Sequence, residues 1–444
     1  MIIQQFYDKS LAHASYAVIS QSKMAVIDPT RDPRQYFKFA DEHGAELIAV
    51  IETHPHADFI SSHLEISKMS SAVIYVSKLV NATYPHQTFD DGDALELGDI
   101  ILRAINTPGH SPDSICIIVE DDMGLQKAVF TGDTLFVGDV GRPDLRENAG
   151  DITTKKEELA RQMYRSTREK LMTLPSGVIV YPAHGPGSLC GKNINADLQS
   201  TIGRELRENY ALQLTDQLMF VKMLTNDQPF IPRYFNFDVD LNKQGAPNLE
   251  QSIKAIPQVR ADDIIEGMLV IDTRHQQQFK LGHIRKAINI QNGDKFETWL
   301  GSIINPDEFF YLVAQDNILL DIMSRKAAKI GYEQNIKGLL LNPVSNLQSS
   351  FLLDLNYFKR YPNNYTIIDI RNPDEVKDKL IFEHAINIPL PGLKERFAEI
   401  PTDKPIVVHC AGGYRSAIGS SILAAQIDAV PVYDLGEAIG LFIL

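Results

Sequence analysis

The chain has 444 residues, room for about three domains at roughly 150 residues each. Its 44% apolar and 23% charged residues exclude a wholly disordered, collagen-like or coiled-coil protein. A formal net charge of −14 speaks against nucleic acid or an anionic membrane surface as a partner, since both need a basic face.

The N-terminal stretch MIIQQFYDKSLAHASYAVIS has no basic segment followed by an apolar one, so no signal peptide is expected. No apolar run approaches the roughly 18 residues of a membrane span. Residues 1 to about 190 alternate short β-branched runs with turns: SYAVIS, MAVIDP, LIAVIETH, AVIYVS, IILRAINTPGH, SICIIVE, AVFTGDT and GVIVYPAHG. Each run ends in Gly, Pro, His or Asp, as buried strands of α/β proteins do. Helices are expected over 151–173, where Asp151 and Thr153 are suitable caps, and over about 194–224. Prolines at 228, 232, 247 and 257 mark a connecting segment. The three cysteines, Cys116, Cys190 and Cys410, lie far apart and form no disulfide framework, which points to a reducing, cytoplasmic setting. Cys116, inside SICIIV, reads as core.

An internal repeat follows. Ile271-Asp272-Thr273-Arg274, Gly282-His283-Ile284 and Ala287-Ile288-Asn289-Ile290 are echoed by Ile368-Asp369-Ile370-Arg371, Glu383-His384 and Ala385-Ile386-Asn387-Ile388. The expected organisation is a first domain over 1–236, a linker over 237–255, and two α/β modules over 256–345 and 347–444.

Within the first domain, polar chemistry gathers at strand ends, where loops hold functional groups on a rigid scaffold. His54, His56 and Asp58 stand two apart after LIAVIE, His110 ends another run, Asp133 lies in FTGDT and His184 in YPAHG. Such a set can converge imidazoles and a carboxylate on one metal ion.

These elements, H-x-H-x-D, P-G-H-S, T-G-D and P-A-H-G in that order, resemble the metallo-β-lactamase superfamily over roughly residues 1–230. The resemblance implies an αββα sandwich. Two-zinc hydrolases of the superfamily such as glyoxalase II read H-x-H-x-D-H, whereas Phe59 stands at the last position here, and a phenyl ring binds no metal. The departure favours one metal. Persulfide dioxygenases of the superfamily use a single ferrous iron, and their ligands match His54, His110 and Asp133, a facial triad that leaves positions open for O₂ and substrate. On this resemblance the cofactor is Fe(II), one per chain, and His56, Asp58 and His184 orient the ligands. Persulfide dioxygenases also carry G-R-x-D nine residues after the metal Asp. Arg142 fits that position and is expected to bind the anionic part of a thiol substrate, with an ion pair to Asp144 or a helix cap as the other readings. Cys190, in the glycine-rich stretch after His184, reads either as a relay or redox thiol near the cleft or as a buried, inert one.

In the last module the strand Ile406-Val407-Val408-His409 runs into Cys410-Ala411-Gly412-Gly413-Tyr414-Arg415-Ser416 and then a helix-like stretch. Gly412 and Gly413 let backbone N–H groups curl toward the sulfur, and the helix start and Arg415 add positive charge, so Cys410 should be a nucleophilic thiolate. The loop resembles the C-x-x-G-x-R loop of rhodanese sulfurtransferases. Related phosphatases have one more residue between Cys and Arg, so the loop length implies a persulfide rather than a phosphate. The drift of G-H-I-P-G-A to Phe382-Glu383-His384-Ala385 touches scaffold more than loop. The middle module keeps the rhodanese frame, but its corresponding region, Tyr311 to Asp316, contains no cysteine. It cannot form a cysteine persulfide, and reads as a spacer, a docking module or an oligomer contact.

Together the resemblances imply a persulfide dioxygenase–sulfurtransferase fusion: a small-molecule thiol persulfide and O₂ give sulfite, and Cys410 passes a second sulfane sulfur to it, giving thiosulfate. Fusion would raise the effective concentration of sulfite at the second site. Glutathione, coenzyme A and other small thiols all suit a cationic pocket, and a homo-oligomer is expected. Two alternatives stay open: a thioester hydrolase of glyoxalase II type with a sulfurtransferase attached, and a sulfur-carrier scaffold that delivers persulfide from Cys410.

Overall fold

The computed structural model describes residues 1–146, 155–343 and 347–443. The chain divides into two compact units, one of residues 1–251 with 328–331, the other of 252–327 with 332–444.

In the first unit the β-branched runs form two six-stranded sheets. One has the order Ile2–Asp8, His13–Ser20, Lys23–Ile27, Glu46–Ile51, Val73–Val76, Gln87–Thr88. The other runs Ser200–Thr201, Ile179–Pro182, Gln126–Gly132, Ile115–Glu120, Ile100–Asn106, Ala94–Leu97. Side chains alternate across a strand, and the hydrophobic sets divide accordingly. Tyr16, Val18, Ile27, Ala49 and Ile51 meet Leu102, Ile115, Ile117 and Phe130 between the sheets. Their neighbours Cys116, Ile118, Val129 and Val180 face outward to Met163, Leu171, Ile202 and Phe220. On the opposite side Tyr36, Phe39 and Ala40 of helix Arg34–His43 cover Ala17, Val26 and Val50. The result is the expected αββα sandwich.

The helix expected over 151–173 is seen as Lys156–Arg165 continuing into a wider π-helical turn, Ser166–Leu171; the caps Asp151 and Thr153 lie outside the described residues. The stretch 194–224 breaks into Ile202–Glu208, Tyr210–Gln213 and Gln217–Thr225. The segment expected as a linker, 237–255, is mostly helical, in Phe235–Gln244 and Leu249–Ala255. Pro247 and Pro257 fall outside these helices, where proline costs no interior hydrogen bond. Asn242, on the first of them, donates from Nδ2 to the carbonyls of His56 and Phe59, each at 2.8 Å. It is part of the scaffold beneath the histidines. No helix among the described residues is long and apolar enough to cross a membrane.

In the second unit the sequence repeat is a structural repeat. The sheet Ile288–Asn289, Leu269–Asp272, Phe310–Ala314, Ile336–Leu341 is all parallel, as is Ile386–Asn387, Thr366–Asp369, Ile406–His409, Val432–Asp434. Arg274 forks onto Asp272 as Arg371 forks onto Asp369, with a shortest contact of 2.6 Å in both. Asn289 donates to the carbonyls of Asp272 and Arg274, and Asn387 to those of Asp369 and Arg371, every bond 2.9 Å. These bonds lock the first strand of each module to the turn that follows it, so the D-x-R and A-I-N-I echoes are retained for the fold.

Candidate functional site

The first sheet delivers Asp28, His54 and their neighbours at the ends of its strands, and the second delivers His110, Asp133 and His184. His54, His110 and Asp133 lie within mutual reach of one ion, all buried. His54 Nε2 is 3.8 Å and His110 Nε2 3.4 Å from Asp133 Oδ2. The other ring nitrogens are engaged. His110 Nδ1 donates to the Arg142 carbonyl at 2.8 Å. Thr53 donates its hydroxyl to Asp28 at 2.8 Å and thus accepts from His54 Nδ1 at 3.1 Å. Both Nε2 lone pairs therefore point inward, ready to ligate. Burial pushes His54 and His110 below the usual histidine range, which keeps them neutral. Against burial, the histidines around it, His184 foremost and the cationic His56 among them, hold the Asp133 carboxyl low. The two Asp133 oxygens are fully buried with no hydrogen-bond partner. A buried carboxylate that accepts no hydrogen bond is costly, and a cation is what this donor set fits.

Gly132 explains one element of the motif. Its φ is +48°, and a Cβ there would stand 2.5 Å from Thr53 Oγ1, the hydroxyl that orients His54. Only glycine lets the strand carrying Asp133 pass that close.

His56, Asp58 and His184 form the other side of the cluster. His184 Nε2 is 3.4 Å from Asp58 and 3.5 Å from Asp133, while its Nδ1 donates to the Ala12 carbonyl at 3.1 Å. His56 pairs with Asp28 at 3.2 Å; against burial, that carboxylate raises His56 to about 9. Phe59 is fully buried, its ring 4.4 Å from that of His56 and 3.9 Å from that of His13. Two participants escaped the sequence reading. Asp28 ends the run MAVIDP and obeys the same strand-end rule as the others. His13 opens a strand instead of ending one, and only the pairing of Ala14 N–H with the Ala183 carbonyl, at 2.7 Å, brings it alongside His184.

One expectation changes here, and one open reading narrows. Arg142, expected as an anion binder, is 1% exposed. Its guanidinium donates to Asp144 at 2.7 and 2.6 Å, to the Leu189 carbonyl and to the Pro229 carbonyl. The loop is braced by this cation, which has no face left for a substrate. Cys190, left open between relay thiol and inert thiol, is 1% exposed beside Asp58 and His184. Burial, then Asp58 and Asp133, push its thiol well above the ordinary cysteine value, which suppresses the thiolate. Cys116 is core as expected, raised by burial to about 11.

In the last module, Cys410 follows the strand Ile406–His409 and is 1% exposed. Gly413 donates its N–H to Cys410 Sγ at 3.1 Å. That peptide has φ +100°, and a Cβ there would meet the Glu437 backbone nitrogen at 2.7 Å, so the curl needs glycine. Helix Tyr414–Gln426 begins at once and aims its positive end at the sulfur. Arg415, however, is not an open cation: it makes two 2.6 Å bonds to the carboxylate of Glu375. The cysteine-less module also reaches this loop. Tyr414 donates its hydroxyl to the Gln291 carbonyl at 2.6 Å, and the Arg415 guanidinium carbon lies 5.9 Å from the centre of the Trp299 ring. Glu375, Gln291 and Trp299 carry no motif and were not legible as site residues.

Comparison with known proteins agrees with this division. Residues 10–184 match the metallo-beta-lactamase superfamily, and residues 258–339 and 354–437 each match the rhodanese-like domain. The chain is 30% identical over 226 residues to persulfide dioxygenase ETHE1, mitochondrial, of Homo sapiens, covering 50% of this chain and 79% of that protein. It is 34% identical over 174 residues to hydroxyacylglutathione hydrolase cytoplasmic of Arabidopsis thaliana, covering 38% of this chain and 62% of that protein. A crystal structure of a metallo-beta-lactamase from Staphylococcus aureus subsp. aureus COL superposes with a TM-score of 0.69 at 32% identity, over 77% of this chain and 99% of that one.

Proposed function

The chain belongs to the metallo-beta-lactamase superfamily, with a pair of rhodanese-like domains C-terminal to that fold in sequence, and from that premise we propose a two-step persulfide chemistry. In the first step a low-molecular-weight thiol persulfide, O₂ and water give the thiol, sulfite and two protons. In the second the terminal sulfur of another persulfide passes through Cys410 to sulfite, giving thiosulfate. The observation that carries the reading is the trio His54, His110 and Asp133, two imidazoles with inward Nε2 and a buried carboxylate that accepts no hydrogen bond, with Phe59 and not a histidine after Asp58.

A ferrous ion on this trio would supply open positions for sulfur and dioxygen. The residues do the rest. Thr53 and the Arg142 carbonyl hold the two imidazoles in the ligating tautomer. His56, paired with Asp28, and His184, held by Ala12, flank Asp133 and stabilise its negative charge. Buried apolar walls such as Phe59 keep bulk water out. At the second site the Gly413 N–H and the helix start stabilise negative charge on Cys410 Sγ, both as thiolate and as the leaving group of transfer.

The test is O₂ uptake by anaerobically purified, Fe(II)-loaded protein given a small-thiol persulfide, with sulfite and thiosulfate quantified. Wild type should yield thiosulfate; Cys410→Ser should consume O₂ and accumulate sulfite instead. No O₂ uptake with iron bound overturns the first step. One observation favours a second reading: His56, Asp133 and His184 also lie within reach of one ion, as a two-metal thioester hydrolase needs. Hydrolysis of an acyl-thiol ester by the zinc-loaded protein, without O₂ uptake by the iron-loaded one, would establish it.

A further inference from the structure

The two modules of the second unit make an internal comparison, because they share a frame and differ in chemistry. Parallel pairing sets Asp272 opposite Val313 and Asp369 opposite His409. The next residue is Ala314 in one module and Cys410 in the other. Helices follow from Asn317 and from Tyr414, so Ile318, second in its helix, stands where Arg415 does. Counting from the two D-x-R aspartates, Gln278 stands where Glu375 does. The Asp–Arg forks and the asparagine locks survive in both modules, whereas thiol, cation and carboxylate are lost together in one. Glu375 therefore segregates with the sulfur chemistry and not with the fold.

Its geometry indicates what it does. Glu375 lies in the first turn of helix Pro373–Asp378, where Oε2 also accepts the Asn372 N–H at 3.0 Å. Its side chain is 36% exposed, that of Arg415 15%. Against partial burial, Arg415 holds the Glu375 carboxyl below its ordinary value. The carboxylate thus neutralises the one full positive charge of the loop, yet it can reach solvent by swinging away. We infer that Glu375 is a built-in counter-ion which occupies Arg415 in the resting site, is displaced by an incoming sulfur oxyanion, and so sets how tightly the Cys410 site takes sulfite and thiosulfate.

The inference rests on the reading of Cys410 as a sulfur-transfer thiol. In that transfer the sulfite sulfur attacks the outer sulfur of the Cys410 persulfide. A new S–S bond forms in thiosulfate, the bond to Cys410 Sγ breaks, and its electron pair stays on Sγ as thiolate. No other oxidant or reductant is consumed. The oxyanion approaching along this line needs the guanidinium that Glu375 holds. Glu375 touches no reacting atom; it is a positioning residue that tunes anion affinity.

The experiment compares the full-length protein with Glu375→Gln and Glu375→Asp. Gln keeps an oxygen for the Asn372 N–H but loses the charge; Asp keeps the charge. The first readout is alkylation of Cys410 by anionic iodoacetate relative to neutral iodoacetamide, resolved from Cys116 and Cys190 by peptide mass spectrometry. Wild type should show little preference for the anion, and Glu375→Gln should raise the iodoacetate-to-iodoacetamide ratio about five- to tenfold at low salt, as expected for freeing one charge-assisted contact. The gain should fade in high salt, and Glu375→Asp should stay within about twofold of wild type. The second readout is thiosulfate-to-cyanide sulfur transfer: Glu375→Gln should lower KM for thiosulfate several-fold and leave kcat within about twofold, whereas mere damage to the loop lowers kcat. A strong iodoacetate preference already present in wild type overturns the inference without any variant, as does an unchanged ratio in Glu375→Gln. A raised ratio in a protein that transfers no sulfur keeps the counter-ion and removes the transferase reading.

Discussion

His110 donates its Nδ1 hydrogen to the backbone carbonyl of Arg142 at 2.8 Å, so the residue expected to hold substrate instead holds a candidate metal ligand. The guanidinium of Arg142 pins that carbonyl through Asp144, Leu189 and Pro229. Arg142→Ala should weaken iron binding about 10- to 100-fold, the usual consequence of removing a ligand's support. Competition with a calibrated chelator measures this directly. A raised KM for persulfide with unchanged iron affinity would restore the anion-binding role.

Phe59, its ring packed on those of His13 and His56, stands where the two-zinc pattern carries a further histidine. Phe59→His should raise zinc content after reconstitution from one ion per chain to two, read by elemental analysis of the dialysed protein. A stoichiometry that stays at one would mean that Phe59 is not what limits the centre.

Ala314 stands where Cys410 does, but it lacks the cation and carboxylate that accompany the thiol. Ala314→Cys in a Cys410→Ser background should give a thiol that alkylates and yet transfers less than about 1% of the sulfur that wild type does, since residues 315–319 offer neither the glycine that gives Cys410 its N–H nor a cation for the oxyanion. Cyanide-dependent thiocyanate formation is the readout, and recovery above that level would show that the thiol alone suffices.

His409 is fully buried next to Cys410, its Nε2 3.7 Å from Asp369. Burial pushes it down to about 4 against the pull of Asp369. The unfolded chain takes up this proton near pH 6.5 and the folded chain only near 4, so folding stability falls as pH drops through that window. Wild type should lose up to about 3 kcal/mol more than His409→Asn between pH 7 and pH 4. Urea unfolding of both proteins at the two pH values checks it, and parallel losses would count against a neutral buried ring.

Strand runs, the repeat and the separate metal and cysteine motifs were legible because they are local. A β-branched run shows its burial within six residues, and a functional side chain at a strand end sits beside the run that positions it. The same locality hid the helices of 235–255, where prolines mark helix boundaries as readily as loops. It also hid Glu375, an ordinary acidic residue in a helix turn that becomes part of a site only opposite Arg415.

The sequence by itself determined the order of domains, the αββα and rhodanese-like architecture, and the absence of a transferable thiol from the middle module, since each follows from residue identity or short-range periodicity. Tertiary structure alone decided which polar groups answer one another. Arg142 finds the Pro229 carbonyl 87 residues away, Asn242 supports His56 across 186, and Arg415 meets Glu375 across 40. A buried charge or hydrogen-bond donor must be matched by whatever the packed chain brings within about 3 Å, and no local pattern encodes that partner.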